Sequence, residues 1–396
     1  MSGATLPLEP ADSHYARRPE TPRILHVVEN LHRGAVENWL VRMLGHARQR
    51  GVDVDWTFYC ALGSHGGLDD TARAFGARVI HSPVPIGDTV AFIRALRAEL
   101  QHGDYDVVHC HHDLVSAVYL LAASGTNVKR RIVHIHNADE GIPTPSRFKQ
   151  LLLREPMRRV CLALADRIVG ISNHTLDTFL AGRPRRAGKD VVLYYGVDPA
   201  PFERARDDRV GFRRGLGVAD DAPIILFAGR MVPEKNPLFA VDVFAEMHRL
   251  DPRIAGLFVG SGSLDGAIRE RATELGVIGA FRALGWRDDL PDIMRCCDWF
   301  ILPRLEEPRE GFGLAIVEAQ LAGLLLLISQ AILPDPLLPT ARFTRLPLNA
   351  GARAWALAAV AMQRDPAPSA ADAWNALGRS PFDMDVALDH LLALYR

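Results

Sequence analysis

The chain has 396 residues, 48% of them hydrophobic, and 46 Lys and Arg stand against 47 Asp and Glu for a net charge of −1. So even a balance excludes a global field that recruits nucleic acid or an anionic membrane, and any anion must be held locally. The length exceeds one ordinary core and suits two domains of about 150 to 200 residues each.

The opening "MSGATLPLEPADSHYARRPETP" is polar and proline-rich, with no apolar stretch, and reads as a loose tail over residues 1–22 rather than a signal peptide. Short β-rich runs then alternate with helical stretches: "ILHVV", "VDWTFY", "ARVIHS", "YDVVHC", "RIVHIH", "DRIVGIS" and "VVLYY". That rhythm predicts a parallel sheet with helices on both faces. It pauses from Gly196 to Pro223, a stretch rich in charge, Gly and Pro that reads as a hinge with a short helix. It resumes with "IILFAG", "GLFVGSG", "FRALGW", "DWFILP" and "LLLLIS". The fold class expected is α/β, two doubly wound Rossmann-like domains facing each other across a cleft. They span 23–205 and 206–396, with the terminal helix packing back on the first. In such sheets ligands bind beyond the carboxyl ends of the strands, so the cleft is where chemistry is expected.

Five cysteines (Cys60, Cys110, Cys161, Cys296, Cys297) form no CxxC pair and read as buried reduced thiols of a cytosolic protein. The most apolar run, "LAGLLLLISQAIL", is shorter than the roughly 20 residues a spanning helix needs. A cytoplasmic protein is expected, with peripheral contact at the inner face of the membrane as the most a membrane offers it. The basic stretch "SRFKQLLLREPMRRV" is the segment that would make such contact, although a solvated helix face explains it as well.

Three groups of residues carry chemistry. In "FAGRMVPEKNPLFAVDVF", Gly229, Arg230, Lys235 and Asn236 follow a predicted strand, and Asn236 with Pro237 reads as the cap and first turn of a helix. Two cations beside a helix N-terminus suit a diphosphate. Gly34, in "ENLHRGAVENWLVRM", sits between the first strand and its helix, where backbone amides can approach a phosphate. The GxG of "VGSGS" (259–263) lacks the third glycine and the following acid of a nicotinamide site.

The second group is histidine. "DVVHCHHD" ends one strand with His109, His111, His112 and Asp113, and "RIVHIHN" ends the next with His134 and His136. Residues i and i+2 of a strand share a face, so each HxH pair could chelate a metal, as in metal-dependent hydrolases. No matching ligand recurs at a strand end in the second half, and no metal site is assigned. The milder reading has one histidine of each pair facing the cleft to hydrogen-bond a polar substrate while the other packs inside.

The third group is "REGFGLAIVEAQLAG", where Glu310 and Glu318 are separated by glycines and an apolar run entering a helix. A carboxylate among Ile316, Val317, Ala319 and Leu321 calls for a fixed partner.

Taken in order, "RGAVENWL", "DVVHCHH", "VVLYYGVDPAPF", "FAGRMVPEKNP", "VGSGSL", "LGWRDDLPDIMRCCDWFILP" and "EGFGLAIVEAQLAG" resemble the family-4 retaining glycosyltransferases of the two-Rossmann-domain GT-B fold, nearest to the bacterial exopolysaccharide and capsule branch. The resemblance implies transfer of a sugar from a UDP-, GDP- or ADP-sugar to a hydroxyl of a carbohydrate or lipid-linked acceptor, with retention at the anomeric carbon, no essential metal and no other cofactor. It implies that Arg230 and Lys235 neutralise the diphosphate and that Gly229 lies beside it. Glu310 would face the sugar hydroxyls, Glu318 the ribose, and His111 the sugar near the reacting carbon. Gly34 would contact the diphosphate, with the backbone of Gly311, Phe312, Gly313 and Leu314 near sugar and phosphates; His136 and Asn137 match a more variable cleft position. The chain departs from the family pattern at Arg304, where serine is common, and at Gln330, where an acid is common; Glu306 and Glu307 compete with Glu310. A noncatalytic scaffold of the same fold is the alternative, and a metal-dependent hydrolase built on the histidines a further one.

Overall fold

The computed structural model describes residues 21–32, 34–137, 147–204, 209–307, 309–363 and 369–396. The tail read at 1–22 lies outside the described residues except for its last two.

Two parallel sheets form. The first comprises β1 (Arg23–Val28), β2 (Asp55–Cys60), β3 (Arg78–His81), β4 (Val107–Cys110), β5 (Arg130–Ile135), β6 (Arg167–Gly170) and β7 (Asp190–Val192), in the order β3-β2-β1-β4-β5-β6-β7. The second comprises β8 (Ile224–Ala228), β9 (Ala255–Val259), β10 (Phe281–Gly285), β11 (Trp299–Leu302), β12 (Leu325–Ser329) and β13 (Phe343–Leu346), in the order β10-β9-β8-β11-β12-β13. Strands such as β8 and β12 are buried at every position because helices cover both faces, and this is why they read as unbroken apolar runs. β13, "FTRL", was not expected: it is short, polar and partly exposed, at the end of its sheet.

The helices supply the other half of each core through one apolar face. Helix Ala35–Gln49 buries Trp39, Leu40, Met43, Leu44 and Ala47, a stripe at helical spacing. Helix Pro237–Leu250 buries Ala240, Val241, Phe244 and Met247 in the same way. Each such Leu, Val or Phe contributes about 1.5 to 3 kcal/mol when fully buried.

Strand order reverses between β1 and β4 in the first sheet and between β8 and β11 in the second. A crevice opens at such a reversal, so these two pairs of strand ends are where the fold places ligands. The two sheets present these ends to one another. Thr175 Oγ1, from the helix after β6, donates to Gly311 O at 3.3 Å, and Tyr194 OH, just after β7, donates to Asp335 Oδ2 at 3.2 Å.

The chain finally crosses back to the first sheet. Helix Met384–Ala393 is capped by Asp383, whose Oδ1 accepts from the amides of Asp385 and Val386. Its charges meet helix Ala35–Gln49 and the residue that follows it: His46 Nε2 lies 2.7 Å from Asp385 Oδ1, and Arg50 Nη1 3.0 Å from Asp389 Oδ1. Beyond it, Arg130 Nη1 donates to Leu394 O and Tyr395 OH reaches His109.

All five cysteines are buried. The basic stretch of the sequence forms helix Arg147–Leu164, in which Arg158 and Arg159 both pair with Glu155 and Arg158 also donates to Phe179 O. Among the described residues, no helix is long and apolar enough to cross a membrane.

Candidate active site

The site is built from the ends of β8 and β11. After β8 the chain runs through Gly229 and Arg230 into a tight turn, Pro233–Lys235, and then helix Pro237–Leu250. Asn236 occupies the cap position with φ 54°, a left-handed conformation that asparagine tolerates. Its side chain makes no capping hydrogen bond, so the helix start is set by Pro237 and the turn rather than by the Asx cap that the sequence suggests. The Gly229 amide donates to Val259 O at 3.0 Å and is committed to the sheet.

Lys235 Nζ lies 2.5 Å from Glu310 Oε2, and both side chains are 15% exposed. Arg304 Nη1 approaches the same oxygen at 3.3 Å, while Arg304 Nη2 donates to Arg309 O. Burial alone would push the Glu310 carboxyl up; the charges of Lys235, Arg304 and Arg230 overcome it and hold the group below the usual carboxylate range. Arg230 is different in kind. Its side chain is 70% exposed and its ion pair to Glu234 is long, at 3.4 Å, so it can turn to an arriving anion at little cost. Leu305 N donates to Glu234 O, tying the loop after β11 to the turn after β8. Of the three competing acids, Glu306 and Glu307 are exposed and Glu307 faces Arg309 at 4.0 Å; Glu310 alone among them meets Lys235.

Glu318 sits on helix Leu314–Leu321, which Gly313 opens with φ 87°. A left-handed residue there is what lets the chain turn from the Glu310 loop into the helix, and it favours glycine. Burial raises the Glu318 carboxyl, and Arg42 Nη1, from helix Ala35–Gln49 of the other sheet, is 3.8 Å away and partly offsets it. The Phe312 ring packs against Tyr194, Tyr195 and Phe382 at centroid distances of 5.5, 6.2 and 5.0 Å, so only its backbone is left for the role the resemblance implies. Gly311 approaches the first sheet so closely that a Cβ would stand 3.0 Å from His136 O.

On the first sheet, Gly34 caps helix Ala35–Gln49, and its amide donates to His32 O. The Glu37 side chain folds over it, so that a Cβ at Gly34 would fall 2.2 Å from Glu37 Oε2. Burial, with Glu29 nearby, pushes the Glu37 carboxyl up to about 7 despite a backbone hydrogen bond and the neighbouring His112. His112 itself pairs with Glu29 at 2.6 Å.

The histidines form one buried group. Register sets His26 of β1 opposite His109 of β4, and the i, i+2 rule brings His111, His134 and His136 to the same face. His111 Nε2 is 3.0 Å from His26 Nδ1, His111 Nδ1 is 3.0 Å from His136 Nε2, and His136 Nδ1 is 2.6 Å from Tyr195 OH. His109 Nδ1 meets Tyr395 OH at 3.0 Å, while both ring nitrogens of His134 are buried without a hydrogen-bond partner. Desolvation depresses all five imidazoles, His26 to about 3, so the group is neutral at ordinary pH. His111 and His136 are 6% and 5% exposed, His109 and His134 fully buried. Asn137 and the His136 amide are held by the Asp113 carboxylate.

Sequence reasoning missed His26, Arg42, Thr175, Tyr195 and Tyr395, and took Arg304 only as a departure from a pattern. A histidine in each of the first and fourth strands was a readable signal; the others depend on how the two sheets meet.

Comparison with known proteins agrees with this architecture. Residues 36–201 match the model described as Glycosyltransferase Family 4, and residues 209–334 the model of glycosyl transferases group 1. The D-inositol 3-phosphate glycosyltransferase of Actinosynnema mirum is 32% identical over 330 residues, covering 76% of this chain and 75% of that one. The chain belongs to glycosyltransferase family 4. A further family relative is the UDP-Gal:alpha-D-GlcNAc-diphosphoundecaprenol alpha-1,3-galactosyltransferase of Escherichia coli, 26% identical over 66% of this chain and 67% of its own. The glycosyltransferase also shares its fold with Anabaena HepE, solved in complex with UDP and glucose, at a TM-score of 0.75 and 20% identity over 94% of this chain and 98% of that one. The fold is therefore GT-B.

Proposed function

We propose that this glycosyltransferase moves a hexose from a nucleoside diphosphate-sugar to a hydroxyl of a glycan or lipid-linked acceptor, with retention at the anomeric carbon, in polysaccharide assembly. The observation that carries the reading is the convergence of Lys235 and Arg304 on Glu310 beside the exposed Arg230, at the strand reversal of the second sheet. As the sugar–phosphate bond breaks, negative charge grows on the diphosphate and positive character on the sugar. Arg230, Lys235 and the start of helix Pro237–Leu250 stabilise the first. Glu310, released from Lys235 by the incoming phosphate, accepts hydrogen bonds from sugar hydroxyls, and Glu318 accepts from the ribose. His111, fixed in the chain of imidazoles, contacts the sugar from the first sheet, and Gly34 with Leu314 lines the diphosphate. The leaving phosphate takes the acceptor proton on the same face, which asks for no metal. The UDP and glucose of HepE and the UDP-Gal and diphosphoundecaprenol in the name of the E. coli relative support this donor and acceptor class.

The test is thermal stabilisation by UDP, GDP and ADP, followed by turnover of the matching sugar. One nucleotide should raise the melting midpoint and be released from its sugar only when a hydroxyl acceptor is present. No stabilisation by any of the three would remove the reading.

A further inference from the structure

At the far edge of the first sheet a second set of donor groups comes together. Cys60 ends β2, His81 ends β3, and parallel pairing sets them side by side. Asp69 opens the helix Asp69–Ala74 above them. One donor atom each from Cys60, Asp69 and His81 lies within 4.8 Å of the other two. His81 Nε2 is 2.8 Å from Asp69 Oδ2, His65 Nδ1 is 3.3 Å from the same oxygen, and the His65 and His81 rings are 4.1 Å apart.

Asp69 is 3% exposed, and its other oxygen, Oδ1, is buried with no hydrogen-bond partner. A buried carboxylate oxygen without a hydrogen bond is unfavourable unless a cation compensates it, and the Cys60 sulfur stands beside it as a further donor. The loop bearing His65 is already held in place: Leu68 N donates to Leu31 O at 2.9 Å, and Gly66 passes so near Leu31 that a Cβ would stand 2.2 Å from that carbonyl.

We propose that Cys60, Asp69 and His81, completed by His65, form a binding site for a zinc-type divalent transition metal. One sulfur, one oxygen and two nitrogens are the donor types that a four-coordinate zinc or cobalt site takes and that magnesium and calcium do not. Sheet order places β2 and β3 on the opposite side of β1 from β4, so the ion staples the loop after β2 to β3 and takes no part in sugar transfer.

The full chain, stripped with chelator, is titrated with Co2+ and then Zn2+. One equivalent of cobalt should bind with a sulfur-to-metal charge-transfer band, zinc should displace it, and Cys60→Ser should lose the band. His65→Ala, at a side chain 82% exposed, should weaken zinc binding about tenfold or more while leaving the circular dichroism unchanged. No cobalt retained, a band untouched by Cys60→Ser, or zinc affinity unchanged in His65→Ala each overturns the proposal. Cobalt bound without the band does so too, and points to the histidines of β1, β4 and β5.

Discussion

Lys235 Nζ and Glu310 Oε2 stand 2.5 Å apart, linking the turn after β8 to the loop after β11. Lys235 and Glu310 offset each other's charge in the free protein. On the proposed function, a diphosphate would compete for the lysine and sugar hydroxyls for the carboxylate, so the pair would be a preformed contact that substrate exchanges for two others, with Arg230 and Arg304 beside it to meet the added negative charge.

The two partners should separate in their effect on nucleotide binding. Lys235→Ala removes one charge-assisted contact of about 1.5 to 3 kcal/mol, so affinity for the nucleoside diphosphate should fall on the order of tenfold to a hundredfold by calorimetry. Glu310→Gln frees the lysine and should leave that affinity unchanged or raise it. Equal weakening in both variants would contradict the arrangement.

Arg304 supplies the second cation on Glu310. In Arg304→Ser the carboxyl rises, because burial is opposed by fewer charges. A group held low in the folded state contributes stability above its ordinary value and loses it as pH falls through the lowered one. The acid limb of both stability and transfer should accordingly move to higher pH in Arg304→Ser. An acid limb that stays where it is in the native enzyme would show that Arg304 does not act on Glu310.

Glu37 has the opposite sign. Its carboxyl is raised from 4.5 to about 7, so its contribution to stability is complete below 4.5 and is lost as pH rises to about 7. Glu37→Gln should gain stability relative to the native chain across that window and show no further change above it, read from urea midpoints at successive pH values. A difference that is flat with pH would place the Glu37 carboxylate in open solvent.

The histidine group makes the fold acid-sensitive. Below about 6.5 the unfolded chain takes up protons that the buried imidazoles refuse, and stability falls with pH. His134 has no hydrogen bond to lose, so His134→Phe should fold and should reduce the steepness of acid unfolding by about one proton. An unchanged slope would mean that His134 is charged in the native state.

Much of this was legible in the chain itself, for identifiable reasons. Strands buried along their whole length, such as β8, β11 and β12, show as apolar runs because both faces of the sheet are covered there, whereas β13 lies at a sheet edge, is partly exposed and carries no such pattern. Arg230, Lys235, Glu310 and Glu318 could be selected by position relative to strand ends. What the sequence could not disclose was partnership: that Arg304 shares the Glu310 oxygen, that Arg42 reaches Glu318 across the two sheets, and that Tyr395 returns to His109. The last two join residues far apart in the chain, and Arg304 and Glu310, near neighbours in sequence, meet only through the fold of their loop, which no periodic spacing encodes. The committed amide of Gly229 and the unused side chain of Asn236 show the converse, motif residues whose role is to shape the turn.

The most direct measurement is acceptor-dependent release of nucleoside diphosphate from its sugar by Glu310→Gln, with nucleotide binding measured on the same preparation. Release should collapse while binding persists, because the carboxylate serves the sugar and the lysine the phosphate. Full turnover in that variant would contradict the account and move the role to Glu306 or Glu307.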